Sequence, residues 1–158
     1  MDKRHLCAMA FSLVAAAVTV SAENWPQWRG PLATGAAVAA KGLPEKWSTS
    51  TGENIAWKVP MPSRSGATPI VWNDTIFLNV ATQPDSGDIE LWSLNRKNGE
   101  LVWKKAIAAG NYRINKQNMS SPSPVTDGRN VWILTGVGML KAFDFKGNGL
   151  WMCGIQKE

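Results

Sequence analysis

After residue 52 the chain alternates apolar and polar positions over short runs, and a turn signal ends each run. The runs are 54–59, 67–72, 75–81, 88–95, 100–107, 121–126, 130–136, 139–145 and 149–155. A period of two turns successive side chains to opposite faces, so each run predicts a strand with one face toward a core. Between them stand Asn73-Asp74, Asn98-Gly99, Asp127-Gly128 and Gly147-Asn148. These residues tolerate positive φ, which tight hairpin turns require. No run of a dozen residues after residue 22 repeats at 3.6, so the pattern predicts an all-β chain.

The runs also repeat as a set. Pro69-Ile-Val-Trp-Asn-Asp-Thr-Ile-Phe-Leu78 aligns without a gap on Pro124-Val-Thr-Asp-Gly-Arg-Asn-Val-Trp-Ile133. Trp57, Trp103 and Trp151 recur at spacings of 46 and 48. The unit is a Pro-initiated strand, a tight turn, an apolar strand, a third strand, then a Gly and a Trp-bearing fourth strand. Four antiparallel strands at this interval predict a β-propeller blade. A small twisted sheet leaves both faces open and must stack on copies of itself. One blade is expected at 67–107 and another at 121–155. Residues 54–59 are expected as an orphan fourth strand, because Ile-Ala-Trp57-Lys-Val matches Leu-Val-Trp103-Lys-Lys. The fold class is thus a partial β-propeller of about two and a half blades. Propellers have roughly four to eight, so the chain is expected to be a truncated piece of a longer protein.

The ends read differently. Lys3, Arg4 and His5 precede an apolar run from Leu6 to Val20, and Val20-Ser21-Ala22 supplies small residues for cleavage. Residues 1–22 therefore predict a secretory signal peptide. The run is shorter than the roughly 20 residues that span a bilayer, so no stable membrane span is expected after cleavage. The protein is expected to be exported, to the periplasm or the cell envelope. Residues 23–52, opening Asn24-Trp-Pro-Gln-Trp-Arg-Gly-Pro31, have too much Pro and Gly for a helix and too many indoles for a linker. They predict an ordered Trp-rich arm over the larger body.

Loss of residues 1–22 removes His5, the single His, and leaves Cys153 without a partner for a disulfide. No Ser–His or Cys–His dyad and no histidine zinc site can then be assembled. Cys153, on a predicted strand beside Trp151, is expected as a buried thiol. The net charge of +5 becomes +4, from 15 basic against 11 acidic residues. Arg96-Lys97 and Lys104-Lys105 are the two adjacent basic pairs after residue 22, and no basic face with interleaved aromatics recommends nucleic acid. Asp74, Asp85, Asp88, Glu90 and Asp127 are the hard-oxygen candidates for Ca²⁺. Asp74 and Asp127 stand in turns, however, and 83–88 lacks the spacing of a calcium loop. Nine Trp against one Tyr and four Phe predict a core organised around indoles. Trp57, Trp103 and Trp151 are expected to dock blade on blade, with Gly99, Gly149 and Asp144 shaping the turns. Trp25 and Trp28 suit a protein or carbohydrate surface if they stay exposed.

The shape Leu140-x-Ala142-x-Asp144 followed by Gly149 and Trp151 resembles the repeat of pyrroloquinoline-quinone-like (PQQ-like) β-propellers. The first copy keeps Leu91, Gly99 and Trp103 but has Ser93 for Ala and Asn95 for Asp. Asn24–Pro31 also resembles the start of exported bacterial members. The resemblance covers about residues 53–155 and implies that the Trp docks between neighbouring blades. Among similar proteins are quinone-dependent dehydrogenases and a propeller subunit of the outer-membrane assembly machinery that binds proteins. The dehydrogenases carry an adjacent Cys pair, which this chain lacks, and catalytic Asp residues in later blades. PQQ with calcium is therefore implied only for a longer protein, and no cofactor is demonstrable here. The expected function is a non-catalytic binding or scaffold module with a protein or polysaccharide partner. The alternatives are part of a PQQ-dependent dehydrogenase or a carbohydrate-associated surface protein.

Overall fold

A computed structural model describes residues 24–37 and 40–155. The predicted signal peptide, His5 and Cys7 lie outside the described residues. Among the described residues every regular element is a strand. Strands β1 (Ile70–Trp72), β2 (Thr75–Ala81), β3 (Asp88–Asn95) and β4 (Leu101–Ala109) form one antiparallel sheet in that order. A small ribbon, β5 (Arg113–Ile114) with β6 (Gln117–Asn118), follows. Strands β7 (Val125–Thr126), β8 (Asn130–Leu134), β9 (Met139–Asp144) and β10 (Gly149–Gly154) form a second antiparallel sheet, again in chain order.

The gapless sequence alignment is reproduced in the ladders. Ile70 pairs with Phe77 and Val71 with Ile76 in the first sheet. The aligned residues Val125 and Trp132, and Thr126 and Val131, pair in the second. Alternation explains the register: Ile89, Leu91 and Ser93 in β3, and Val131 and Ile133 in β8, all turn inward. A one-residue slip would carry each of these sets to the opposite face. The two sheets stack on a shared core of Ile70, Phe77, Leu91 and Ile107 from the first and Val131, Ile133 and Phe143 from the second. Burying each such side chain contributes about 1.5–3 kcal/mol.

This core corrects the expectation of an indole-centred interior. None of the nine Trp is fully buried. An indole N–H needs an acceptor, and acceptors lie where backbone turns meet the core, so the rings settle at the seams. Residues 54–59, expected as an orphan fourth strand whose partner strands are missing, join no sheet among the described residues. A strand exists only where a second backbone takes its N–H and C=O groups. This segment is instead fastened by side chains, with Asn54 Nδ2 donating to Lys46 O at 2.8 Å and Lys58 Nζ to Thr49 O at 3.0 Å.

β1 and β7 start later than the sequence pattern, just after Pro69 and Pro124. The residues leading into them bond to each other rather than to a ladder. Thr68 N donates to Ser123 Oγ at 2.8 Å, and Ser65 Oγ donates to Ser120 O at 2.9 Å. Both pairs join aligned positions of the two repeats.

The arm lies against the same end of the sheets. Trp25 N donates to Val71 O at 2.7 Å and Val71 N to Trp25 O at 2.9 Å, which fills the free edge of β1. Thr126 N donates to Pro26 O at 2.9 Å. One short segment thus ties the first strands of both sheets together and covers edges that would otherwise pair with another chain. Farther along the arm, Trp28 and Trp47 are exposed.

Candidate functional site

The recurrent feature of the molecule is a dock in which a Trp from one unit enters the turn of the next. Trp57 Nε1 donates to Arg96 O at 2.9 Å, in the turn between β3 and β4. Its ring lies on Gly99, where an added Cβ would approach Trp57 Cε3 to 2.6 Å. Trp103, on β4, repeats the arrangement on the second sheet: Nε1 donates to Phe145 O at 2.9 Å in the turn between β9 and β10. Its ring lies on Gly147, where a Cβ would come within 3.0 Å. In both cases the accepting carbonyl belongs to the residue after the capping Asn95 or Asp144. Both glycines have positive φ, 75° and 82°, so glycine here meets a steric and a conformational demand together. These are two blades of a β-propeller. The repeat that resembles the PQQ-like one folds as propeller blades stacked face to face.

The backbone aims the ring. In blade 1 the ladder jumps between Ser93–Trp103 and Leu94–Leu101, leaving Val102 as the extra residue. In blade 2 it jumps between Ala142–Trp151 and Phe143–Gly149, leaving Leu150. A bulge of one residue before the Trp re-aims its side chain and increases the local twist. Trp103 is then sandwiched. Its ring centroid is 5.7 Å from Phe77 of its own blade and 6.3 Å from Phe143 of the next, and Phe77 meets Phe145 edge-on at 5.0 Å. Such tilted and T-shaped pairs are favourable beyond the area that they bury.

The turns under the docks are capped by side chains. Asn95 Oδ1 accepts from Lys97 N at 2.8 Å and Asn98 Oδ1 from Glu100 N at 3.1 Å. Asp144 Oδ1 accepts from Lys146 N at 2.9 Å and Asn148 N at 2.8 Å, and Oδ2 accepts from Asn148 Nδ2 at 2.8 Å. Those bonds, led by the Asn148 amide side chain, hold the Asp144 carboxyl below its ordinary pKa.

Two expectations about this site change. Gly149 does not shape the dock: Phe143 is its only neighbour within reach of a Cβ, at 3.9 Å, and Gly147 takes that place. The signal was present, because Gly147 stands four residues before Trp151 as Gly99 does before Trp103. The one-residue deletion falls inside the turn and disguised the match. Cys153 is exposed rather than buried. It lies on β10, the outer strand of its sheet, where all six residues are exposed among the described residues. Trp151, the third of the Trp set, keeps 49% of its surface open on the same strand.

The carboxylates considered for calcium are scattered. Asp74 faces Lys97 at 3.1 Å and Asp85 faces Arg64 at 3.8 Å, while Glu90 Oε2 accepts from Trp92 Nε1 at 2.7 Å. Asp88 is exposed at the start of β3. Asp127 Oδ1 accepts from the N–H groups of Arg129 and Asn130, both at 2.8 Å, and its pKa is lowered by the Asn130 bond first. Among the described residues no three His, Cys, Asp or Glu converge on one point. These carboxylates do not fit a Ca²⁺ site beside a quinone.

No family model matches the chain, and no curated protein does. Among solved structures, the crystal structure of BamB from Moraxella catarrhalis superposes with a TM-score of 0.49 at 24% identity over 64% of this chain. A quinohemoprotein alcohol dehydrogenase, ADHIIG, from Pseudomonas putida HK5 superposes with a TM-score of 0.46 at 20% identity over 65% of this chain. The chain spans 28% of the length of the first and 15% of the second.

Proposed function

We propose that this chain is part of an exported, non-catalytic propeller that works as a binding or scaffold module for protein partners. The observation that carries the reading is the face of β10. Leu150, Trp151 and Met152 are 50, 49 and 71% exposed there, and Ile155 just past the strand 55%, in contrast to Trp103 at its dock. Leu150, Trp151 and Met152, together with Lys105, Phe143 and Gly149, border an apolar hollow of about 300 Å³. An apolar strip of this kind flanked by lysines matches the anatomy of protein interaction surfaces. Export rests on the composition of residues 1–22, and among the described residues no helix is long and apolar enough to cross a membrane.

The test places a photo-crosslinking amino acid at Trp151 in the full chain, expressed with its own leader in a bacterial host. The expected result is a covalent adduct to a protein in the envelope fraction and a processed N-terminus at Glu23. Retention of the chain in the cytoplasm, or adducts no more frequent than with the probe at exposed Lys116, would rule the reading out.

A further inference from the structure

The blade entries, away from the β10 face, enclose a second feature. A cavity of about 140 Å³ lies where the segment before β1 meets the β5–β6 ribbon, and Arg64, Arg113 and Lys116 all line it. No lining residue is acidic. The cavity is a product of the fold: Gly66 forms part of its wall, and a Cβ there would come within 2.5 Å of Gln117 Oε1 and 2.9 Å of Ser121 Oγ. The wall behind is fixed by satisfied polar groups. Asn118 Nδ2 donates to Arg64 O at 2.9 Å, Ser120 Oγ donates to Asn118 Oδ1 at 2.8 Å, and Ser120 is fully buried.

The charges are not balanced within this wall. Arg64 has one partner, Asp85 at 3.8 Å, and both side chains are more than half exposed. An exposed pair at that distance contributes little. Arg113 uses Nε to hold Asn115 O at 2.6 Å, which braces the guanidinium and leaves its two terminal nitrogens to donate. Lys116 has no ion pair among the described residues. Three cations brought to one concavity repel each other, and an anion between them reverses the sign of that interaction. A braced guanidinium fork with two flexible cations suits a phosphate-type oxyanion.

We propose that this cavity is an oxyanion site for phosphate, either inorganic or carried by a phosphomonoester. It is independent of the β10 face and of whatever binds there. Calorimetric titration of the full chain with sodium phosphate, at ionic strength held constant with sodium chloride, tests it. One saturable site is expected. Arg113→Gln and Lys116→Gln should each weaken it about tenfold or more, the scale of a charged hydrogen bond, while Lys116→Arg should retain it. Circular dichroism checks the fold of each variant, and Lys116→Gln removes the side chain with no ion pair. A parallel titration with glycerol 3-phosphate separates the sources: tighter binding than phosphate assigns the site to a monoester, and equal binding assigns it to the free ion. Absence of saturation, or saturation unchanged in both Gln variants, would overturn the proposal.

Discussion

The two blades share one dock and build it from different chemistry. In blade 1 an amide, Asn95, caps the turn that receives Trp57; in blade 2 a carboxylate, Asp144, caps the turn that receives Trp103. The indole bond is 2.9 Å in both. The two incoming chains differ as well. Trp103 comes from a strand inside a complete sheet and is gripped by Phe77 and Phe143, whereas Trp57 comes from a segment without a ladder. The seam thus depends on a ring, a glycine and a carbonyl. The strand carrying the ring and the cap beneath it can vary.

The largest expected difference lies between Trp103 and Trp151. Trp103→Ala removes the ring between two aromatic neighbours and should destabilise the protein by about 3 kcal/mol, the low end for a large aromatic because the ring is half-buried. Trp151→Ala should change stability by less than ~0.5 kcal/mol, as for an exposed position. Urea midpoints of the two variants check this, and similar losses for both would show that the docks are not equivalent to the geometry described. Next in size is the glycine contrast. Gly147→Ala forces a Cβ onto Trp103 at positive φ and should cost about 2 kcal/mol. Gly149→Ala, with space around it, should cost well under that. A larger effect at Gly149 would return the dock to the position expected from sequence.

That glycine shows where sequence reading works and where it stops. Strand pairing was legible because a period of two and a gapless Pro69–Leu78 repeat fix which backbone atoms face each other. The turn was harder, because a one-residue deletion leaves two glycines, Gly147 and Gly149; the spacing of four to Trp151 marks Gly147, and φ and the position of the neighbouring ring show that it forms the dock. Residues 54–59 carry a strand-like pattern, yet pairing depends on a second backbone that no pattern in those residues specifies. Cys153 was misjudged for a related reason: alternation says which face a residue takes, not whether anything covers that face. The β5–β6 ribbon and its cations had no periodic signal at all, since two-residue strands are too short to show one. The most regular parts of the fold were therefore readable, and the seams between them required coordinates.

Trp57→Phe offers a smaller effect. It keeps most of the ring on Gly99 but removes the N–H that reaches Arg96 O, and should cost about 1 kcal/mol. A loss as large as that for Trp103→Ala would mean that the unpaired segment contributes more to the seam than its hydrogen bond and ring contact account for.

The smallest expected effect is the one that separates the two caps by charge. Asp144 titrates below its ordinary value of 3.8 because the folded turn donates hydrogen bonds to the ionised form, with Asn148 the leading donor. A carboxyl whose folded pKa is depressed stabilises the fold at all pH values above its unfolded pKa. That contribution is lost as pH falls from there through the folded pKa. Asn95 has no proton to gain, so the blade 1 turn carries no matching dependence. Unfolding midpoints measured from pH 6 down to pH 2.5 should therefore fall less steeply in Asp144→Asn than in the parent, because an amide still accepts from Lys146 N and Asn148 N. Asp127 has a lowered pKa too, so Asp144→Asn should reduce the acid slope without abolishing it. The converse exchange, Asn95→Asp, should steepen it by giving blade 1 the same titrating cap. If Asp144→Asn and the parent lose stability in parallel, the carboxylate is not coupled to the seam, and the two docks differ in composition without differing in response.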